Sequence, residues 1–150
     1  MEMIDNLIFS NNLYIIDTYP TNYWAITKTE KQIGKYKCIK ATTNYRGRDW
    51  EVWFTTDLPY SFGPWKLQGL PGLILEAQST DKRFTFIANK IDFTPQVLIF
   101  PNGGLKKITM QELIESYEET LRSGSEERDT TVTISKRNSP ELIYEWEENK

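Results

Sequence analysis

The chain has no histidine and a single cysteine, Cys38, among its 150 residues. Without histidine, serine–histidine and cysteine–histidine nucleophilic sites are excluded in their usual form. Histidine-ligated zinc and haem go with them. A lone cysteine closes no internal disulfide and builds no thiolate cluster, so the fold must stand on its core. It leaves the compartment open, because exported bacterial proteins often lack disulfides. No apolar run approaches the length of a membrane span. The start, Met1-Glu2-Met3-Ile4-Asp5-Asn6, has no basic head and no long apolar stretch, so it does not read as a signal peptide. A basic surplus is missing too. The 18 Lys and Arg are outnumbered by 21 Asp and Glu, giving a net charge of −3, and this argues against nucleic acid as a partner.

What is present is aromatic. Five tryptophans, eight tyrosines and seven phenylalanines make up 13% of the chain, so the core or a binding surface must be rich in rings. With 39% hydrophobic and 26% charged residues, the composition is that of a folded protein, and the length suits one domain spanning 1–150. The first two thirds read mostly as strands. Leu13-Tyr14-Ile15-Ile16 is a short apolar run stopped by Pro20. Tyr23 to Lys31 and Lys35 to Thr43 flank a hairpin at Gln32-Ile33-Gly34, and Asn44 to Gly47 makes a second turn. In Arg48 to Thr56, Trp50, Val52 and Phe54 alternate with Glu51, Trp53 and Thr55, the period of a half-buried strand. Two more strands are expected, Leu73 to Gln78 and Arg83 to Ile91, joined at Ser79-Thr80-Asp81-Lys82.

The pattern changes after Pro101-Asn102-Gly103-Gly104. Thr109-Met110-Gln111-Glu112 is a capping box, and Leu113, Ile114, Tyr117 and Leu121 follow at helical spacing, with Gly124 placed to end the helix. Thr130 to Ser135 reads as a last short strand, and the acidic tail from Glu141 as an edge strand or a frayed end.

Most chemistry-bearing residues have a plain structural reading. Cys38 sits mid-strand, where a buried thiol packs well. Glu51, Asp57, Glu76 and Asp81 lie near the aromatic segment, but no spacing picks out an acid–base pair or a calcium loop. Arg46-Gly47-Arg48 reads as a charged turn. The most informative segment is Ser61 to Glu76, where Leu70-Pro71-Gly72-Leu73 reads as a type II turn with Gly72 supplying the positive φ. Trp50, Trp53, Tyr60, Phe62 and Trp65 crowd beside it. Trp50 and Trp53 must face opposite ways on a regular strand, so one wall serves either an apolar ligand site or a second layer of core.

Gly69-Leu70-Pro71-Gly72-Leu73-Ile74 is the hexapeptide that names the GLPGLI family of Bacteroidetes proteins. Cys38-Ile39-Lys40-Ala41-Thr42, Tyr45-Arg46-Gly47-Arg48, Trp53-Phe54-Thr55, Leu58-Pro59 and Gly63-Pro64-Trp65-Lys66-Leu67 stand in the family's order before it. The chain thus resembles the C-terminal part of that family, over about residues 20 to 100 and more weakly to Ser139-Pro140-Glu141-Leu142. Members look longer, beginning with an export signal and another β-rich stretch, so the resemblance implies a periplasmic or envelope location and an N-terminally shortened domain. It carries no biochemical activity and no catalytic residue.

The fold expected is α+β, mostly β: a curved, half-barrel-like antiparallel sheet with one C-terminal helix packed on it and a final short strand. The function expected is non-enzymatic and without cofactor or metal: an envelope protein that binds a hydrophobic ligand or another envelope protein. Trp53, Tyr60, Trp65, Leu67, Leu70, Pro71 and Leu73 are the candidate lip of such a site or, alternatively, the keystone of the fold. An assembly module pairing through an exposed sheet edge, as in a homodimer, is the second reading. A hydrolase using carboxylates alone is the third.

Overall fold

The computed structural model describes residues 2–6, 12–17, 23–95, 97, 106–126 and 141. In chain order its elements are β1 (Glu2–Asn6), β2 (Asn12–Ile16), β3 (Ala25–Ile33), β4 (Tyr36–Tyr45), β5 (Arg48–Thr55), β6 (Leu73–Ser79), β7 (Thr85–Ile87), β8 (Lys106–Thr109) and α1 (Met110–Glu126). They fall into two compact units, Met1–Tyr19 with Thr94–Ser135, and Pro20–Phe93 with Lys136–Lys150.

The second unit holds a five-stranded antiparallel sheet in the order β3-β4-β5-β6-β7, with β3 and β7 outermost among the described residues. Its hairpins follow from local chemistry. Ile33 pairs with Tyr36, leaving Gly34-Lys35 as the loop, with Gly34 at φ 56°. Tyr45 pairs with Arg48, and Arg46 and Gly47 take φ 46° and 77°, the two positive values of a type I′ turn. Each hairpin turn therefore falls within a residue or two of its expected place. The alternation in β5 holds as well: Trp50, Val52 and Phe54 are buried on one face, and Trp53 is half-buried on the other. The strand expected over Arg83 to Ile91 shrinks to Thr85–Ile87, where three cross-strand pairs tie β7 to β6. The joining turn is closed by Ser79, whose hydroxyl donates to Asp81 Oδ1 at 2.7 Å.

Two apolar clusters cover the two faces. The larger gathers Ala41, Tyr45, Trp50, Val52, Phe54, Leu67, Leu70, Ile74 and Ala77, with Trp24, Ile39, Trp65, Phe84 and Phe86 around them. The smaller gathers Cys38, Leu58 and Leu75, with Ile33, Tyr36, Trp53, Leu73 and Ile91.

The first unit pairs β1 with β2 antiparallel and β2 with β8 parallel. The parallel pair was not expected, because Lys106–Thr109 is short and has no strong apolar alternation. The helix is capped as its sequence dictates. Thr109 N donates to Glu112 Oε2 at 2.6 Å, and Glu112 N returns a bond to Thr109 Oγ1 at 3.1 Å. That hydrogen bonding from Thr109 holds the Glu112 carboxyl below its ordinary range. Met110 and Leu113 are buried, and α1 packs against β2 and β8 of its own unit. It runs on to Glu126, so Gly124 lies inside the helix and does not end it. The strand expected over Thr130 to Ser135 lies outside the described residues.

Candidate functional site

The Ser61 to Leu70 loop folds back on itself before the chain enters β6. Gly69 N donates to Ser61 O at 3.1 Å and Leu67 N to Pro64 O at 3.2 Å. Ile74 N donates to Phe62 O and Leu73 N to Leu58 O, both at 3.0 Å, which pins the loop's ends to the sheet. The type II turn expected at Leu70-Pro71-Gly72-Leu73 needs correction on one point. The positive φ falls at Gly69 (96°), not at Gly72. Gly72 is glycine for space: a Cβ there would lie 2.1 Å from Thr55 O.

The seven candidate lip residues are dispersed by this geometry. Leu67 and Leu70 are fully buried in the larger cluster, in the keystone position. Trp65 packs beside them with φ 55°, its ring edge-on to Tyr45 at 5.2 Å and tilted against Trp50 at 5.9 Å. Left-handed backbone disfavours a tryptophan, and the ring contacts hold it there. Trp53 and Leu73 sit on the opposite face in the smaller cluster, where Lys31 Nζ lies 4.3 Å from the Trp53 ring centroid and 2.7 Å from Glu76 Oε2. Tyr60 is exposed, its ring 6.1 Å from that of Phe93, and Pro71 is exposed.

Three of the four carboxylates named near the aromatic segment are engaged with cations. Glu51 meets Lys40 at 2.5 Å, Glu76 meets Lys31, and Asp81 meets Arg48. The hydrogen bond from Ser79, reinforced by Arg83 N and Arg48, holds the Asp81 carboxyl down at about 2. Cys38 is fully buried, and burial pushes its thiol up, which keeps the sulfur protonated and unreactive. Among the described residues no group of three His, Cys, Asp or Glu is placed to hold a metal ion, and no helix is long and apolar enough to cross a membrane.

Two features were missed from sequence. One is buried charge. Arg46, Arg48 and Lys66 have side chains only 2–3% exposed, and Glu141 is equally buried. Lys66 Nζ donates to Glu141 Oε1 at 2.6 Å, and Arg46 Nη1 lies 3.1 Å from the same oxygen. The turn reading of Arg46-Gly47-Arg48 was right for the backbone, but both arginines point into protein. Glu141 is therefore tied to the hairpin tip. Beside these charges, Trp50 Nε1 is buried with no hydrogen-bond partner among the described residues.

The other feature is the flank along β7. One open groove of about 470 Å³ is lined by Pro64, Ile74, Leu75, Phe86, Ile87 and Ala88 among others. A second, of about 420 Å³, is lined by Ile33 to Tyr36 at the β3–β4 hairpin, by Leu75, and by Ala88 to Ile91 and Phe93 after β7, with Lys35, Asn89 and Lys90 among its walls. Leu75 and Ala88 border both. Large apolar side chains stand exposed on this flank at Ile87 and Phe93.

Residues 46–76 are similar to a family described as a protein of unknown function (Porph_ging). The match is local. It runs from the hairpin-tip Arg46 to Glu76 of β6 and so takes in Trp50, Trp53, Trp65, Lys66 and the hexapeptide. No curated protein and no solved structure matches the chain.

Proposed function

We propose that this is a GLPGLI-type protein of the bacterial envelope that carries out no chemistry and takes an extended apolar segment of a partner protein along β7. The state of β7 carries the reading. It is a three-residue strand, the last of the sheet among the described residues, bonded to β6 on one side, with one open groove of mixed polar and apolar lining running along it and a second bordered by Ala88 just after it. A strand added there would continue the ladder, and side chains from one of its faces would reach the groove lined by Phe86, Ile87 and Ala88. The opposite outer strand, β3, is a poorer acceptor. It carries Lys28, Glu30 and Lys31 and is bulged between Ile26 and Glu30, devices that discourage pairing. The envelope location follows from the family resemblance alone.

Groove volume favours a second reading, a small apolar ligand, because both grooves lie within the range of roughly 300–1,000 Å³ common for such sites. Random peptides displayed and selected on the full chain separate the two. The first reading expects selected sequences to alternate apolar and polar residues and to shift the amide resonances of Thr85 to Ala88. Peptides that instead shift β3 would overturn it. Failure to select any peptide, with lipid released from the native protein on denaturation, would replace it with the second.

A further inference from the structure

The groove of about 420 Å³ at the β3–β4 hairpin is an outcrop of the core. Ile33, Tyr36, Leu75 and Ile91 line it and also belong to the smaller cluster, so its apolar walls continue that packing to the surface. Leu75 is 3% exposed, whereas Phe93, another of the lining residues, is 59% exposed. The groove thus grades from a buried aliphatic side chain to an open aromatic one.

Its ionisable lining has one sign. Lys35 and Lys90 border the groove, and no carboxylate does. On the same hairpin Lys31, Lys37 and Lys40 each meet a glutamate, at 2.7, 2.8 and 2.5 Å. Lys90 meets Asp92 at 2.9 Å. Lys35 has no carboxylate partner among the described residues, and its ammonium lies 5.3 Å from the ring centroid of Tyr36, a wall of the groove. The tight turn fixes where that charge stands, because Gly34 and Lys35 are the two residues between the paired Ile33 and Tyr36. The space beside the turn is open, since a Cβ on Gly34 would meet nothing within 4 Å. An apolar trough with an unpaired cation at its lip complements a molecule that is a hydrocarbon chain at one end and an anion at the other.

We propose that this groove binds a single-chain anionic amphiphile of the fatty-acid type, its chain against Tyr36, Leu75, Ile91 and Phe93 and its carboxylate on Lys35. Burial of the chain supplies most of the affinity. Lys35 sets the orientation and adds a modest preference for a negative head group, as an exposed ion pair does. The inference does not depend on strand addition, because no residue of Thr85–Ile87 lines this groove.

Titration of the full chain, read by amide resonances, tests it. Decanoate below its micelle concentration should shift Gly34 to Tyr36 and Ala88 to Phe93, with Thr85 and Phe86 little changed. Lys35→Met should weaken decanoate binding by roughly two- to fivefold and leave decanol, the uncharged analogue, unaffected. Lys35→Arg should bind decanoate as the native chain does. Lys35 is exposed, so neither substitution endangers the fold. Decanoate shifts that centre on Thr85 to Ile87, or that scatter over the chain, would overturn the site. Equal effects of Lys35→Met on decanoate and decanol would overturn the role of Lys35. Binding to vesicles of anionic phospholipid with no response to decanoate would replace the free amphiphile by a membrane surface and overturn the proposal.

Discussion

On the face that carries Trp50, the sheet is roofed by the chain's own Ser61 to Leu70 loop, and Leu67 and Leu70 fill the space that a ligand would need. Along β7 the same sheet ends, among the described residues, after three paired residues beside an open groove lined by Thr85 to Ala88. Both regions are aromatic and both border Ile74. Their difference shows that ring content alone does not decide which surface stays open. What matters is whether a rigid, internally hydrogen-bonded segment has already covered the rings. The tryptophan-rich stretch that stands out in the sequence is thereby committed to the core, and the open surface lies on the weakly patterned strand after it.

Emptying the covered face gives the largest expected effect. Trp50 touches Trp65 at 5.9 Å and Phe86 at 6.0 Å while 1% exposed. Trp50→Ala should lower stability by about 3–5 kcal/mol in urea unfolding. Next comes the loop's attachment. Gly72→Ala drives a Cβ to within 2.1 Å of Thr55 O, a backbone atom that cannot step aside. A loss of about 3 kcal/mol is expected, at the upper end of overpacking.

The turn before β7 makes a pH-dependent contribution with a defined sign. Asp81 is held at about 2, below its ordinary 3.8, so its bonds to Ser79, Arg83 and Arg48 stabilise the fold fully above the ordinary value. That contribution is lost as pH falls from about 3.8 toward 2. The difference in urea midpoint between the native chain and Asp81→Asn should therefore be constant near pH 6 and close up across that acid window. A difference that persists at pH 2 would show that Asp81 acts by shape and not by charge.

The smallest stability effect is expected on the open flank. Ile87 is 67% exposed, so Ile87→Lys should change stability by no more than about 0.5 kcal/mol. The same change should abolish binding of peptides selected for β7. A large loss of stability would instead mean that Ile87 is part of the covered core.

Sequence reasoning reached the hairpins, the β5 alternation and the capping box because each is decided by residues within a few positions of one another. It separated Trp50 from Trp53 by period two alone. It misplaced the positive φ at Gly72 because a Pro-Gly pair carries the signal of a type II turn, whereas this glycine answers to Thr55, a contact between strands. It missed Glu141 meeting Arg46 and Lys66 because residues 95 and 75 positions apart leave no local trace. The grooves were missed for a related reason. They exist because β7 stops early, and Arg83 to Ile91 is apolar enough to read as a longer strand.

The most direct test of the account is site-specific photocrosslinking in cells, with p-benzoylphenylalanine placed at Ile87 on β7 and, in a parallel chain, at Ile26 on β3. The account predicts crosslinks from position 87 to an extended apolar segment of another polypeptide, with position 26 silent. Crosslinks from position 26 alone, or from position 87 to lipid and no polypeptide, would contradict it.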